Sequence, residues 1–250
     1  NEIPVTIKLA DPEVSSLTVD KATMSVDIPK ADSNGNQTKQ PFDLPAVTVK
    51  DQYGRDIENR TLTWQTMGSD GEAVFPGISF ENGKLVITSE AAKPELFREG
   101  SNEYQVPIRV SCGEKYTDFT VTVTREARKA ASIIVSGGPT AMLLVPASGE
   151  SAVTSNEKFT AVVKDQYGHT IENASITWSA MMGSGAMVNV TGVSMTTDGT
   201  VTVESTAAEK VLDTNAITFT AIAEYVDENN DAVDGYKNFT VARAASVVKS

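Results

Sequence analysis

Residues 47–64 read VTVKDQYGRDIENRTLTW, and residues 161–178 read AVVKDQYGHTIENASITW. The two stretches lie 114 residues apart, and 11 of their 18 aligned positions are identical. A repeat with this period fixes the unit of folding, because each copy has to bury its own hydrophobic faces. The chain has 250 residues, so we predict two tandem domains of about 115 residues each.

A shorter similarity sets the boundaries of the two domains. Residues 128–136 read RKAASIIVS and residues 243–250 read RAASVVKS, so each segment is predicted to open a repeat unit. The first domain is therefore predicted to span residues 11–126 and the second residues 127–242. Residues 243–250 are predicted to be the start of a third unit.

The first ten residues have two interpretations that the sequence leaves open. The segment PVTI at 4–7 stands at the position in a unit that TVTV occupies at 120–123. Residues 1–10 are then the last strand of a preceding unit; alternatively, they are an extra strand of the first domain. The joining segments near 10–13 and 125–131 contain few Gly or Ser residues, so we expect limited hinge freedom at both.

Short stretches of alternating apolar and polar side chains fill most of the chain. They are rich in Val, Ile, Thr and aromatic residues and are separated by Gly, Asn, Asp or Pro, which is typical of strands and turns. In chain order the predicted strands are residues 3–8, 17–20, 23–28, 47–50, 61–65, 84–88, 105–111, 116–124, 132–135, 142–145, 159–164, 175–179, 200–204, 217–225 and 236–242. We predict an all-β fold of antiparallel sandwiches, with one face of each sheet buried. Residues 90–99 and 206–213 are predicted to form short helical turns in crossovers between sheets.

The repeated DQYG sequence has the chemistry of a turn. An Asp side chain accepts a hydrogen bond from the backbone N–H two residues on, and Gly takes a positive φ without steric cost. Asn59 and Asn173 tolerate left-handed geometry before the next strand, and Ile57 and Ile171 are placed to pack under the end of the sandwich. The motif residues are Asp51, Tyr53 and Gly54 in the first copy and Asp165, Tyr167 and Gly168 in the second.

A tryptophan follows each turn at the same distance. Trp64 and Trp178 lie mid-strand beside threonines, a position from which a large side chain fills the space between two sheets. We therefore expect both to be core residues. The recurrence of Tyr53 and Tyr167 at one repeat position likewise favours a structural role over a carbohydrate platform.

The charge of the chain disfavours two classes of partner. It carries 33 acidic and 21 basic residues, for a net charge of −12. A surface of this sign repels the phosphates of nucleic acids and of anionic membranes, and no apolar run approaches the roughly 20 residues that cross a bilayer. We expect no nucleic-acid partner, no membrane insertion and a monomeric chain.

Residues for catalysis and for tight metal binding are scarce. His169 is the only histidine and Cys112 the only cysteine, so the chain has no intramolecular disulfide and too few ligands for a zinc site. A Ser–His–Asp or Cys–His arrangement would need His169 in a pocket, whereas it stands at a turn position. We expect no enzymatic activity and no cofactor.

One acidic loop has oxygen ligands at the spacing that calcium favours. The candidate metal ligands are Asp227, Asn229, Asp231 and Asp234. The loop departs from the EF-hand pattern at Ala232, where a glycine makes the sharp turn, and at Asn238, where a bidentate glutamate stands. Two interpretations are open: a weak calcium site, or a solvated acidic hairpin loop.

These motifs together resemble those of bacterial immunoglobulin-like (Big) domains. The resemblance rests on a strand followed by KDQYG, an Ile and an Asn in the next loop, and the TW pair. A hairpin then reads NGKLVI at 82–87 and DGTVTV at 198–203. The resemblance covers nearly all of the chain and implies two tandem immunoglobulin-like antiparallel β-sandwich domains. It implies no catalytic residues, since these domains share none.

The resemblance also implies a location and a role. Big domains occur in tandem in bacterial adhesins, S-layer proteins and secreted glycoside hydrolases, which implies an extracellular or cell-surface bacterial protein. The implied function is a non-enzymatic structural or adhesive spacer, with other Ig-like units of the same chain as partners. The alternative is a module that binds a cell-wall or host polysaccharide or a host surface protein, including the accessory region of a secreted carbohydrate-active enzyme. Binding would reside where the copies differ: in the acidic hairpin, at Met181, Met182 and Met187, and in residues 30–40.

Overall fold

Nearly all regular structure in the chain is β-strand, as the alternating pattern predicts. The computed structural model describes residues 8–69, 71–183, 187–211, 216–228 and 230–243. The chain divides into two compact units, Asn1–Ala127 and Arg128–Ser250, which we call unit 1 and unit 2. Most of the predicted first strand, and the predicted third unit beyond residue 243, lie outside the described residues.

Within the described residues, unit 1 contains ten strands arranged in three sheets. They are β1 (Val14–Val19), β2 (Thr23–Asp27), β3 (Lys39–Asp43), β4 (Val47–Asp51), β5 (Thr63–Gly68), β6 (Gly71–Glu72), β7 (Ile78–Glu81), β8 (Lys84–Thr88), β9 (Glu103–Cys112) and β10 (Lys115–Thr124). The sheet orders are β2-β10-β9-β5-β6, β3-β8-β7 and β1-β4. Pro45 stands in the short break between β3 and β4, where it withholds a backbone N–H from the ladder.

Unit 2 repeats this arrangement, with nine strands in its described part. They are β11 (Ala130–Gly137), β12 (Leu143–Val145), β13 (Val153–Thr154), β14 (Phe159–Asp165), β15 (Thr177–Met182), β16 (Val193–Met195), β17 (Val201–Val203), β18 (Ile217–Val226) and β19 (Ala232–Arg243). The sheet orders are β12-β19-β18-β15, β13-β17-β16 and β11-β14. In both units the first strand pairs with the strand that precedes the DQYG turn.

Among its described strands, each unit has one parallel pair that the sequence does not predict. β2 runs parallel to β10, with Thr23 beside Thr120, and β12 runs parallel to β19, with Leu143 beside Val241. After β1 in unit 1, and after β11 in unit 2, the chain crosses to the opposite sheet. There the next strand lies beside the last strand of the unit and runs parallel to it. This strand order is that of an immunoglobulin-like sandwich. The predicted all-β, tandem Ig-like fold class is confirmed, with these two parallel edge pairs as the difference.

Each unit buries apolar side chains between its larger sheet and its smaller ones. In unit 2, Phe239 packs against Phe159 and Phe219, with ring centroids 5.9 and 5.6 Å apart. Smaller clusters lie under the first strand pair, formed by Leu17, Val49 and Cys112 in unit 1 and by Ala130, Ile133, Val163 and Ala223 in unit 2. Burial of one large apolar side chain contributes about 1.5–3 kcal/mol, so these clusters stabilise each unit.

The predicted crossover turns are confirmed as short 3-10 helices. They span Ser89–Ala92, Pro94–Leu96 and Ser205–Glu209. Of the described strands, the sequence misses β3, β6, β7, β13 and β16, which have two to five residues each. Segments this short give too few alternations to stand out from the surrounding loops.

Candidate functional site

The first DQYG turn is built around the carboxylate of Asp51. Its Oδ1 accepts hydrogen bonds from the backbone N–H groups of Tyr53 and Arg55, each at 2.9 Å. The backbone N–H of Gly54 donates a hydrogen bond to the carbonyl of Asp51 at 3.0 Å and closes the turn. The φ of Gly54 is 79°, a value that glycine adopts without strain. Asp51 is 3% exposed, so the carboxylate that forms the turn is buried.

A guanidinium group compensates the enclosed charge of Asp51. Nε and Nη2 of Arg55 lie 2.8 and 2.7 Å from Oδ2 of Asp51. Burial acts to raise the pKa of Asp51, but the hydrogen bonds from Arg55 and from the Tyr53 N–H outweigh it, so the pKa lies below its ordinary value. Asp51 is therefore an ionised structural acceptor at neutral pH.

The second turn repeats this geometry but takes its cation from elsewhere. Oδ1 of Asp165 accepts two backbone N–H groups of the turn, one of them from His169, each at 2.9 Å. His169 stands where unit 1 has Arg55, and the cation is Arg128, whose Nε lies 2.5 Å from Oδ2 of Asp165. Arg128 also donates to the carbonyl of Thr170 at 2.9 Å. The ion pair is kept, although its basic residue comes from a different part of the chain.

A glutamine in each motif holds the segment that leads into the first strand of its own unit. Oε1 of Gln52 accepts the N–H of Glu13 at 2.8 Å, and Nε2 donates to the carbonyl of Asp11 at 2.8 Å. In unit 2, Oε1 of Gln166 accepts the N–H of Lys129 at 2.9 Å. Turn chemistry does not predict this role. The signal in the sequence is a glutamine at the same place in both copies.

The two motif tyrosines have different surroundings. Tyr53 is 43% exposed, and its hydroxyl accepts the N–H of Ala10 at 3.0 Å. Tyr167 is 2% exposed. The same motif position therefore holds an open aromatic ring in one unit and an enclosed ring in the other, which is not the arrangement of a repeated carbohydrate platform.

Both tryptophans contact the core, and both are half-buried. Trp64 packs against Phe80 and edge-on against Phe119, with ring centroids 6.4 and 5.9 Å apart. Trp178 contacts Phe159 at 6.0 Å. A cleft of about 310 Å³ runs past Trp178, because β14 and β15 are not neighbours in a sheet. The two rings are thus core residues with one side open to solvent.

The acidic hairpin between β18 and β19 uses its carboxylates internally. Oδ1 of Asp227 accepts the N–H of Asp231 at 2.9 Å, and Oδ2 of Asp234 accepts the hydroxyl of Tyr236 at 3.1 Å. Asn229 lies outside the described residues. Among the residues that the structure describes, no group of three or more His, Cys, Asp or Glu side chains is arranged to hold a metal ion. Calcium binding by this loop stays a prediction.

The single histidine and the single cysteine stand at structural positions. The backbone N–H of His169 donates to Asp165, and the side chain is half-buried rather than solvated. Cys112 is 6% exposed and packs in the small cluster of unit 1. A reactive thiol needs an accessible, electropositive setting, and the place of Cys112 is an apolar one.

Grooves of ligand size lie away from the repeated turns. In unit 1, a groove of about 460 Å³ lies beside the start of β9. In unit 2, a groove of about 480 Å³ lies between β12 and β13 and exposes Met142 and Leu144. The strand register places Ser25 and Asp27 of unit 1 at the corresponding positions. Small-molecule sites have volumes in this range. The positions that are apolar in unit 2 are polar in unit 1.

Comparison with known proteins extends to the fold only. No family model and no curated protein matches the chain. Similar solved structures include protocadherin gamma B2 extracellular cadherin domains 1–5, at 11% identity and a TM-score of 0.43. Drosophila N-cadherin EC1-4 is similar at 13% identity and a TM-score of 0.41. Domains 1–6 of surface layer protein SbsC are similar at 17% identity and a TM-score of 0.35.

These solved structures are longer than the chain. The similarities cover 91%, 92% and 94% of this chain and 39%, 50% and 28% of the three structures, in the order given. The activity and partners of a whole protein that contains this chain are therefore matters for proposal. In the described part of the chain, no helix has the length and apolar character needed to cross a membrane.

Proposed function

We propose that the chain is a non-enzymatic spacer from an extracellular or cell-surface bacterial protein with several domains. Its two units are Big-type immunoglobulin-like domains that adjoin further units of the same kind. The repeated DQYG turn and the two sandwiches, which share one strand order apart from β6, support this role. The net charge of −12 supports it as well, because it keeps exposed copies of such a chain apart.

The observation that carries the proposal is the short connection between the units. On the side of unit 1, the N–H of Arg125 donates to the carbonyl of Asn102 at 2.9 Å. The guanidinium of Arg125 lies 3.6 Å from the ring centroid of Phe97. Glu126 forms an ion pair with Lys30 at 2.9 Å. The last residues of unit 1 are therefore attached to the body of unit 1.

In unit 2, the first two residues already contact the body of the unit. Arg128 forms its ion pair with Asp165, and the N–H of Lys129 bonds to the side chain of Gln166. Ala127 is the single residue between the two attached pairs. A connection of this kind differs from a flexible Gly/Ser linker, which behaves as a random coil. It supports a spacer whose units have limited freedom to reorient.

Nitrogen-15 relaxation of the full chain tests this proposal. Because attachment on both sides restricts independent motion, we expect the amides of the two units to report one common rotational correlation time. Insertion of Gly-Ser-Gly-Ser after Ala127 lengthens the connection without replacing any attached residue and is the matched control. Wild-type units that tumble as independently as those of the insertion variant would contradict the proposal.

A further inference from the structure

The groove beside β9 combines an apolar side with a polar side. Its volume is about 460 Å³. Its apolar and aromatic lining residues, which we call the apolar side, are Phe75, Leu96 and Tyr104, and its polar ones, which we call the polar side, are Arg98, Ser101, Glu103 and Gln105. An apolar wall with a few convergent polar groups is the usual form of a small-molecule site.

The groove runs along an open edge of β9. Successive strand residues point to opposite faces of a sheet, so a groove that touches Glu103, Tyr104 and Gln105 in turn lies at the side of the strand. The other side of β9 pairs with β10 along its whole length, whereas the pairing with β5 ends where Thr66 faces Ile108. The groove therefore opens where β5 turns away from β9.

The aromatic wall at Tyr104 is held in place from behind. Its hydroxyl donates to the carbonyl of Ala91 at 3.2 Å, and its ring meets Phe97 edge-on with centroids 4.9 Å apart. Phe97 is covered in turn by the guanidinium of Arg125 at 3.6 Å. Because these contacts fix the Tyr104 ring before a ligand arrives, binding against it costs little conformational entropy.

The polar side has hydrogen-bonding capacity that the fold does not use. The side chains of Arg98, Glu103 and Gln105 make no hydrogen bond or ion pair with another residue in the described part of the chain. They offer guanidinium donors, carboxylate acceptors and an amide that does both. Planar groups of this kind suit the adjacent hydroxyls of a sugar ring, and an aromatic ring suits its C–H face.

We propose that this groove binds a neutral saccharide, about one or two pyranose rings of which fit its volume. The rings pack against Phe75 and Tyr104, and their hydroxyls bond to the polar side. The charges of Arg98 and Glu103 offset each other in the lining, and the net charge of −12 disfavours acidic sugars. The proposal does not rest on the spacer role, because none of the residues that would touch the sugar belongs to the connection between the units.

An extended peptide fits the same edge less well. An added strand needs a row of available backbone N–H and C=O groups. Along β9, every second residue forms its backbone hydrogen bonds with β10. The residues between them, Glu103, Gln105 and Pro107, direct their backbone polar groups to the other side of the strand. Pro107 has no N–H, and the N–H and carbonyl of Glu103 are bonded to the hydroxyl of Ser101 at 3.1 and 2.8 Å. Of these three described residues, Gln105 alone keeps both groups for a peptide.

Calorimetric titration and amide chemical shifts of the full chain test the site, with cellohexaose, xylohexaose and mannohexaose as probes. We expect saturable binding of at least one probe at about 1 mM or below, with shifts at the groove. Phe75→Ala is expected to weaken binding at least about fivefold. Glu103→Gln is expected to weaken it about tenfold, since hydrogen bonds to a charged acceptor are the stronger ones. Tyr116→Ala removes an exposed aromatic ring elsewhere in unit 1 and should bind as the wild type does.

Any of three results would overturn the proposal. One is the absence of saturable binding for all three probes up to about 5 mM. Another is binding that neither Phe75→Ala nor Glu103→Gln weakens; Glu103 is exposed, so the second variant separates lost binding from lost folding. The third is binding at the groove by an alternating Val-Thr peptide with no binding of the sugars. None of these results bears on the spacer role, which the relaxation experiment tests.

Discussion

The enclosed carboxylate of each DQYG turn has a cation beside it, and the two units supply that cation differently. Arg55 reaches Asp51 from four residues on, with 52% of its side chain exposed. Arg128 reaches Asp165 from the segment that leads into β11, with 25% exposed. Removing one partner of an enclosed ion pair is costly, because the remaining charge is left poorly solvated. We therefore expect the stability of unit 2 to depend more on Arg128 than the stability of unit 1 depends on Arg55.

Replacing Arg128 by Ala leaves the Asp165 carboxylate, which is 0% exposed, without its cation. We expect unit 2 to lose about 3 kcal/mol of unfolding free energy. Arg55→Ala is the matched variant in unit 1 and should cost that unit less, since Arg55 is the more exposed partner. Urea unfolding read from resolved amide signals of each unit measures both losses. Equal losses in the two variants would contradict this account.

The lowered pKa of Asp51 makes unit 1 sensitive to acid. Its pKa in the folded state lies below the unfolded value of about 3.9, so the stabilisation is complete above that value and is lost as the pH falls through the folded pKa. We expect the urea midpoint of unit 1 to decrease below about pH 4. The pKa values of Asp32, Asp43 and Asp118 are lowered as well, so Asp51→Asn should remove only part of the slope. A slope unchanged by this substitution would rule out the assigned role of Asp51.

Strands and turns are predictable from the sequence when the residues that determine them are adjacent. The DQYG turn depends on neighbouring residues, and its composition accounts for the positive φ of Gly54 and Gly168. The glutamine contact joins Gln52 to Glu13, 39 residues earlier, and no local pattern encodes it. The strands β2 and β12 are predicted, but their parallel pairing is not, because packing of the whole unit decides which sheet the chain joins. The groove beside β9 likewise exists only where the loop at Phe75, the end of a 3-10 helix at Leu96 and the start of β9 come together.

Trp178 on β15 links the main cluster and the smaller cluster of unit 2. Trp178→Ala is expected to lower the unfolding free energy of unit 2 by about 3 kcal/mol, the low end for a large aromatic residue, because the ring is half-buried. Unit 1 should unfold as before, and Trp64→Ala should show the converse. Urea unfolding of the full chain, read separately from each unit, measures this. An unaltered unit 2 in Trp178→Ala would mean that the ring is not part of the core.

The two units have the same fold but differ in the grooves on their surfaces. Unit 1 has a mixed groove at the open edge of β9, and unit 2 exposes Leu144 on β12 and Met142 just before it. Residues 125–131 contain no Gly or Ser, which predicts limited hinge freedom, and this stays a prediction. The contacts that hold the connection are not predictable, because Arg125 and Arg128 are attached to loops and turns distant in the sequence. We therefore propose a restricted spacer with a binding groove on one of its two units.

The distribution of distances between spin labels on the two units measures whether the connection at Ala127 restricts their relative motion. Thr48→Cys in unit 1 and Glu224→Cys in unit 2 place labels at exposed positions, in a background that carries Cys112→Ala. For the native connection we predict a single narrow distribution, which becomes at least about twice as wide after insertion of Gly-Ser-Gly-Ser. Distributions of equal width with and without the insertion would contradict the account.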